Sequence, residues 1–408
     1  MNNEMLLEIA EQYGTPTYVY DLEKVREQIR KLKEAFTYSN TSILYAMKAN
    51  FNPHLVQEIL SQGLGIDATS PEEVNWALML GADKNSVMFT GNSMSDSDMR
   101  EVHEKGVLLN IDSKQRLKDF GEKYSGSAVC IRINPNIGDG SHSHTITGGE
   151  ESKFGIPYQE IEEAVGIARN HHIRIVGIHH HIGSGWLNMD SPLQALEIIL
   201  EAASKIEGLK FVDIGGGYGI PYKPEEEELD MFKLGERMSN LFGDFSNRYY
   251  QGNLELRMEP GRFIVAQAGS LLTQVTTLKT NPGGRNFAGT DTGMNHLIRV
   301  ALYEAYHGIE NVSNPLGELV SYFVNGNVCE SSDFFNKESR KLPQIRVGDI
   351  LRIRDAGAYG DSMGSDYQMR LKPTEVIVGG DKHFLSRRRS GITLSGYETQ
   401  NLNLQSQK

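Results

Sequence analysis

A handful of lysine, acid, histidine and glycine residues stand at the ends of short apolar runs in this chain, and Lys48 is the first of them. It closes the run Ser42-Ile43-Leu44-Tyr45-Ala46-Met47, which reads as a buried strand. Partial burial lowers an ammonium pKa and exposes a neutral, nucleophilic amine, the requirement for a Schiff-base lysine. Taken alone, a lysine that snorkels to solvent at a strand end is the commoner case. Glu259 follows a second strand-like run, Leu254 to Met258. A carboxylate there suits a cationic ring nitrogen, such as a protonated pyridine, and equally suits a neighbouring arginine. Gly215-Gly216-Gly217-Tyr218-Gly219 brings several backbone N–H groups to an anion, or makes a tight turn.

His179-His180-His181 invites a metal reading. In a strand, positions 179 and 181 share a face. Two such histidines without a nearby Cys, Asp or Glu make a poor zinc site, so no metal is expected. An imidazole stacked on a flat cofactor ring is the better functional reading, with a core histidine as the ordinary one. Cys329-Glu330 offers a thiol as general acid and a carboxylate for a substrate ammonium. By itself the pair also fits a surface glutamate beside a buried cysteine.

These residues need elements to position them. Eight strand-like runs occur between residues 40 and 265, namely Ile43 to Met47, Gly65 to Ala68, Ser86 to Thr90, Leu108 to Ile111, Ala128 to Ile133, Ile175 to His181, Phe211 to Ile214 and Leu254 to Met258. Amphipathic stretches such as Pro53 to Gln62, Pro71 to Leu80, Ser95 to Lys105 and Met231 to Tyr249 separate them. The alternation predicts an α/β fold, a (β/α)8 TIM-type barrel over residues 35–268. A doubly wound sheet would carry a Gly-x-Gly-x-x-Gly turn after its first strand, and none follows Lys48. Runs at Ser270 to Leu278, Ser321 to Asn325, Asp349 to Arg354 and Thr374 to Val378 predict a mainly β domain over 269–408. The segment 1–34, with its Tyr18-Val19-Tyr20 strand, is expected to join that domain. The tail after Arg389 is polar and expected to be poorly ordered.

Barrel chemistry sits at the C-terminal strand ends. Those ends carry Lys48, Asp67, Asn134, His179 to Ser184, Gly215 to Gly217, and Glu259 to Arg262.

The chain has 39% apolar and 23% charged residues, ordinary for a globular enzyme. Its net charge of −12 disfavours nucleic acid or an anionic membrane as partner, because both need a basic surface. A local pocket can still hold positive charge for an anionic ligand. No stretch reaches membrane-helix length, and the first residues show no secretory pattern, so a cytoplasmic protein is expected. Cys130 lies in an apolar run and reads as an inert core thiol. A disulfide with Cys329 is not expected.

Tyr45-Ala46-Met47-Lys48-Ala49-Asn50, His179-x-His181-Ile182-Gly183-Ser184-Gly185, Gly215-Gly216-Gly217, Glu259-Pro260-Gly261-Arg262-Phe263, Cys329-Glu330-Ser331 and Gly357-Ala358-Tyr359-Gly360 occur in one order. In that order they resemble the fold-type III pyridoxal-phosphate decarboxylases, and within them the diaminopimelate decarboxylase family. Arg132-Ile133-Asn134-Pro135-Asn136 and Asp291-x-Gly293-Met294-x-x-Leu297-Ile298-Arg299 with Tyr303 are similar to that family too. The resemblance runs from about residue 14 to about residue 388.

It implies pyridoxal 5'-phosphate as cofactor, with Lys48 bonded to its aldehyde and His181 stacked on its ring. Ser184, Gly215, Gly216, Gly217 and Tyr359 resemble the phosphate ligands, with Arg262 near phosphate and substrate. Glu259 resembles the partner of the pyridine nitrogen, and Asp67 and Gly261 complete the expected cofactor contacts. Arg262, Arg299, Tyr303 and Tyr359 resemble the residues around the substrate's distal carboxylate, and Glu330 the grip on its distal amine. Cys329 resembles the proton donor, supplied in the family by the second subunit of a homodimer with shared active sites. The implied reaction is decarboxylation of meso-2,6-diaminopimelate to L-lysine.

Departures from the family pattern bear on the substrate. They are Asn327, Val300, Ser332, Gln368 and Leu371, and Ser390-Gly391-Ile392 where an acidic helix is usual. A related decarboxylase acting on lysine, ornithine or a natural-product intermediate is the first alternative. An amino-acid racemase on the same barrel is the second, and a non-catalytic cofactor carrier the third.

Overall fold

The computed structural model describes residues 1–391. Most of the polar tail, from Ile392 on, therefore lies outside the described residues. A helix Asn3–Tyr13 leads into β1 (Thr17–Asp21). The barrel strands follow as β2 (Thr41–Ala46), β3 (Gly65–Ala68), β4 (Val87–Phe89), β5 (Leu108–Ile111) and β6 (Ala128–Asn134). A two-residue β7 (Ile156–Pro157) extends β6, and β8 (Arg174–His179), β9 (Phe211–Asp213) and β10 (Glu255–Met258) complete the set. Leaving β7 aside, eight strands pair in parallel, each with the next, and β10 returns to β2 with Leu256 opposite Thr41 and Met258 opposite Ile43. The expected barrel is therefore present and closed. Strands covered on both faces need continuous apolar runs, which is why Ile43 to Ala46 are all buried.

Helices begin where short polar residues follow the strands. Ser70 caps Pro71–Met79 by accepting from the Glu73 N–H, and Ser95 makes a reciprocal capping box with Asp98. Helix Leu22–Ala35 lies against the barrel, where Gln28 donates to the Phe263 carbonyl at 2.9 Å. Two boundaries differ from expectation at the mouth. β2 stops at Ala46, and Lys48 sits in the single 3-10 turn Met47–Ala49. β8 stops at His179, so His180 and His181 lie beyond the strand and its alternation of faces.

The second sheet uses β1, β11 (Gly269–Thr280), β12 (Asn286–Thr290), β13 (Ile309–Asn311), β14 (Leu319–Asn325), β15 (Arg340–Pro343), β16 (Ile350–Ile353), β17 (Thr374–Gly379) and β18 (Lys382–Arg387). The Tyr18-Val19-Tyr20 strand joins it, antiparallel to β11 and parallel to β17. The loop after β16 reaches the barrel mouth. A Cβ on Gly357 would fall 1.9 Å from the Val265 carbonyl oxygen, so only glycine allows this approach. Asn50 donates to the Gly357 carbonyl at 2.9 Å, and the Tyr359 N–H donates to the Ala49 carbonyl at 2.8 Å. The turn bearing Lys48 and the loop bearing Tyr359 are thus pinned together.

Candidate active site

A cavity of about 410 Å³ opens at the C-terminal ends of the barrel strands. Lys48, His181, Ser184, Glu259, Arg262, Arg299, Tyr303 and Tyr359 all line it. Eight residues gathered from positions 48 to 359 thus meet in one space.

The Lys48 amine lies 2.8 Å from Asp67 Oδ2. Strand register causes this, since Asp67 of β3 stands opposite Ala46 of β2. Asp67 is fully buried, whereas the Lys48 side chain is 35% exposed into the cavity. Burial would lower the lysine pKa, but the charges of Asp67, Tyr359 and Glu259 outweigh it and raise it above the ordinary value. The expected neutral amine is therefore corrected: Lys48 is an ammonium that donates a hydrogen bond to Asp67.

Glu259 is held by its backbone N–H, which donates to the Gly215 carbonyl at 2.8 Å. Its Oε2 lies 3.0 Å from His179 Nε2. Burial, then the charges of Arg132 and Lys48, keep His179 well below the ordinary imidazole value. Burial holds the Glu259 carboxyl above its usual range against the pull of Lys48 and Arg132. Asp213 completes a buried group with these two, the three ligand-type atoms lying within 4.8 Å of one another. Burial, then the charge of Glu259, push the Asp213 carboxyl well above its usual range. Read along the sequence, the histidine triplet has no acid partner; the fold brings it two.

His181 Nδ1 accepts the Gly216 N–H at 3.2 Å, which fixes the ring at the cavity wall and leaves the hydrogen on Nε2. Asp213 Oδ1 accepts from the Gly215 N–H at 2.8 Å, and the Gly217 carbonyl accepts from Gly185 at 2.8 Å. Gly217 has φ +103°, and a Cβ there would lie 2.1 Å from the Gly183 carbonyl oxygen. The glycine loop therefore packs directly on the Gly183-Ser184-Gly185 turn. Gly261 permits a similar approach of the Glu259–Arg262 turn to Ala46 and Ala49. Arg262 donates to Ser184 Oγ at 3.0 Å, and its guanidinium lies 5.1 Å from the Tyr359 ring.

Two expected site residues are elsewhere. Cys329 is exposed and Glu330 partly exposed, on the turn after β14, and neither lines the cavity. Gln368 donates to Cys329 Sγ at 2.7 Å, and Tyr367 donates to Glu330. The ordinary reading of a buried cysteine fails here, while Cys130 is buried in β6 as expected. Sequence reasoning gave no separate role to Arg132, which lines the cavity 4.7 Å from the Phe154 ring. Its signal was a lone charge in the apolar run Ala128 to Ile133. Tyr222, which bonds Arg262 and Arg299, was missed for lack of any such contrast.

Comparison with known proteins decides the family. Residues 22–266 match the pyridoxal-binding domain of the pyridoxal-dependent decarboxylases. The chain is 42% identical over 392 residues to the diaminopimelate decarboxylase of Methanothermobacter thermautotrophicus, covering 94% of this chain and 91% of that relative. This chain belongs to the diaminopimelate decarboxylase family. It is 34% identical over 406 residues to the Escherichia coli K12 member, covering 95% and 94% of the two chains. A crystal structure of diaminopimelate decarboxylase superposes with TM-score 0.88 at 33% identity, covering 95% and 94%. The Helicobacter pylori enzyme complexed with L-lysine superposes with TM-score 0.86 at 32% identity, covering 94% and 96%.

The cavity fits the family's cofactor, pyridoxal phosphate. An amine for its aldehyde, a buried carboxyl for its ring nitrogen, and serine and arginine donors for its phosphate all face one space.

Proposed function

We propose that this chain removes one carboxylate of meso-2,6-diaminopimelate as carbon dioxide and releases L-lysine, using pyridoxal 5'-phosphate. The observation that carries the substrate assignment is Arg299, 4% exposed and lining the same cavity as Lys48. A buried guanidinium needs an anionic partner. A diaminopimelate molecule brings a second carboxylate at its distal end; a simple diamine-forming substrate such as ornithine brings none.

When bound, the cofactor supplies an aldehyde that captures the substrate amine and a ring that accepts the electrons left by carbon dioxide. Lys48 would hold that aldehyde until substrate arrives, its amine set in place by Asp67. Glu259, steadied by His179, would keep a proton on the ring nitrogen. His181 would face the ring, while Ser184, Arg262, Tyr359 and the Gly215 to Gly217 loop would hold the phosphate. Arg299 and Tyr303 orient the distal carboxylate. Cys329 donates the proton that ends the reaction, and Glu330 holds the distal ammonium.

The last two roles require a second copy of the chain. Their exposure, on a turn away from the cavity, supports a homodimer in which each turn completes its partner's site. Among the described residues no helix is long and apolar enough to cross a membrane, which is compatible with the proposed cytoplasmic location. The test is carbon dioxide release by the cofactor-loaded enzyme from meso-diaminopimelate, lysine and ornithine in parallel. Release from the first alone is expected. Turnover of lysine or ornithine without diaminopimelate would overturn the assignment, and deuterium uptake without carbon dioxide would favour racemisation.

A further inference from the structure

Arg262 and Arg299 are 5% and 4% exposed, yet no aspartate or glutamate among the described residues comes within 4 Å of either guanidinium. What they share is one phenol oxygen. Arg262 Nη1 and Arg299 Nη1 each donate to the Tyr222 hydroxyl oxygen at 2.9 Å. The two guanidinium carbons stand 5.7 and 4.7 Å from the centroid of the same ring. Like charges this close and this buried repel strongly, because little solvent screens them. An oxygen that accepts a charge-assisted hydrogen bond from each is the group that holds them side by side.

The surroundings fix the arrangement further. His307 Nδ1 lies 2.8 Å from the Arg354 carbonyl oxygen, so that nitrogen carries the hydrogen and Nε2 is free to accept. Nε2 accepts from Arg299 Nη1 at 3.3 Å, and the His307 ring meets the Tyr222 ring edge-on at 5.5 Å. Glu226 accepts the Tyr222 backbone N–H at 2.8 Å and anchors the loop. Burial would raise the phenol pKa, but the two guanidiniums outweigh it and leave it lowered, in accord with an electron-rich oxygen. Arg299 thus meets its protein partners through Nη1, while Arg262 Nη2 is spent on Ser184.

We infer that Tyr222 is a positioning residue that determines specificity: its oxygen clamps Arg262 to Arg299 so that Arg299 presents a free edge to the distal carboxylate of the substrate. The inference rests on the proposed role of Arg299. It adds the residue that makes the grip rigid and ties it to the phosphate side through Arg262 and Ser184.

The test is titration of L-lysine and of cadaverine into the cofactor-loaded wild-type enzyme and the Tyr222→Phe variant. L-lysine keeps the distal amino-acid head, whereas cadaverine has the same chain without a carboxylate. Phenylalanine keeps the ring against His307 and removes only the oxygen. Lysine affinity is expected to fall roughly ten- to hundredfold, the scale of lost hydrogen bonds to charged groups. Cadaverine affinity is expected to stay unchanged, which also reports that the variant is folded and loaded. An equal loss for both ligands, or no loss for either, would overturn the clamp. Wild-type enzyme that binds cadaverine as well as L-lysine would instead refute the role of Arg299 on which the clamp depends.

Discussion

The cavity around Lys48 and the turn around Cys329 carry the same kinds of group in opposite settings. At the cavity, Asp67, Glu259, Arg262 and Arg299 are buried, and each is held by neighbours on other strands or loops. At the turn, Cys329 is exposed, and its contacts come from Gln368 and Tyr367 on the segment Tyr367–Met369. Gln368 and Met369 both have φ near +54°, a left-handed conformation unusual for such side chains. Strain of this kind persists only where the surrounding structure holds it in place. One chain therefore builds the cofactor half of the proposed site internally and displays Cys329 and Glu330, its proposed proton-donating half, outward. An exposed acid–thiol pair gains its chemistry only once another surface excludes water from it.

The sharpest break of that comparison uses two inactive variants. Lys48→Ala removes the amine and is expected to lower activity by about 10⁴-fold or more. Cys329→Ala removes the proposed proton donor and is expected to cost on the order of 10² to 10⁴-fold. If the two halves meet across subunits, mixing the variants and allowing exchange restores one intact site in each mixed dimer. Roughly a quarter of wild-type activity then returns. Activity that stays at the level of the separate variants would show that each chain uses its own cysteine.

A smaller effect tests the enclosed half alone. Glu259→Gln keeps shape and one hydrogen bond to His179 but cannot balance a positive ring nitrogen. A fall in kcat of about 10² to 10³-fold is expected, the scale for losing one preorganised electrostatic group. The absorbance of the bound cofactor should shift as well, because ring protonation changes. An unchanged spectrum with near-normal kcat would remove Glu259 from its proposed role.

The enclosed half was also the more legible in sequence. Alternating apolar runs and amphipathic stretches announced the barrel, and its mouth residues followed from the rule that chemistry sits at strand ends. The charge state of Lys48 was read with the wrong sign. Its partner Asp67 is 19 residues away, and the pairing depends on which residue of β3 faces Ala46, a register that apolar pattern alone does not give. The same reason hid the bond between His179 and Glu259, whose strands are separated by β9 in the barrel. Tyr222 was invisible because a tyrosine in a polar loop has no contrast with its neighbours. The turn at Cys329 was legible only through its resemblance to a known family.

The least effect is expected far from both halves, at a buried acid that takes no part in the site. Glu375 of β17 is 4% exposed at its side chain, accepts from the Tyr20 hydroxyl at 2.9 Å and lies 3.3 Å from Arg387. Arg387 is itself engaged by Asp361. Burial and the charge of Asp361 push the Glu375 carboxyl from 4.5 up to about 7, more than Arg387 offsets. The folded state therefore binds this proton more tightly than the unfolded chain. The associated stabilisation is complete below pH 4.5 and is lost as pH rises through 7, by at most about 3 kcal/mol. Glu375→Gln is neutral throughout, so its stability should lack that decline and exceed wild type above pH 7. Urea unfolding at pH 5 and pH 8 checks the sign. A wild-type protein that gains stability relative to the variant between those values would show that the pairing of Glu375 with Arg387 outweighs the cost of burying its charge.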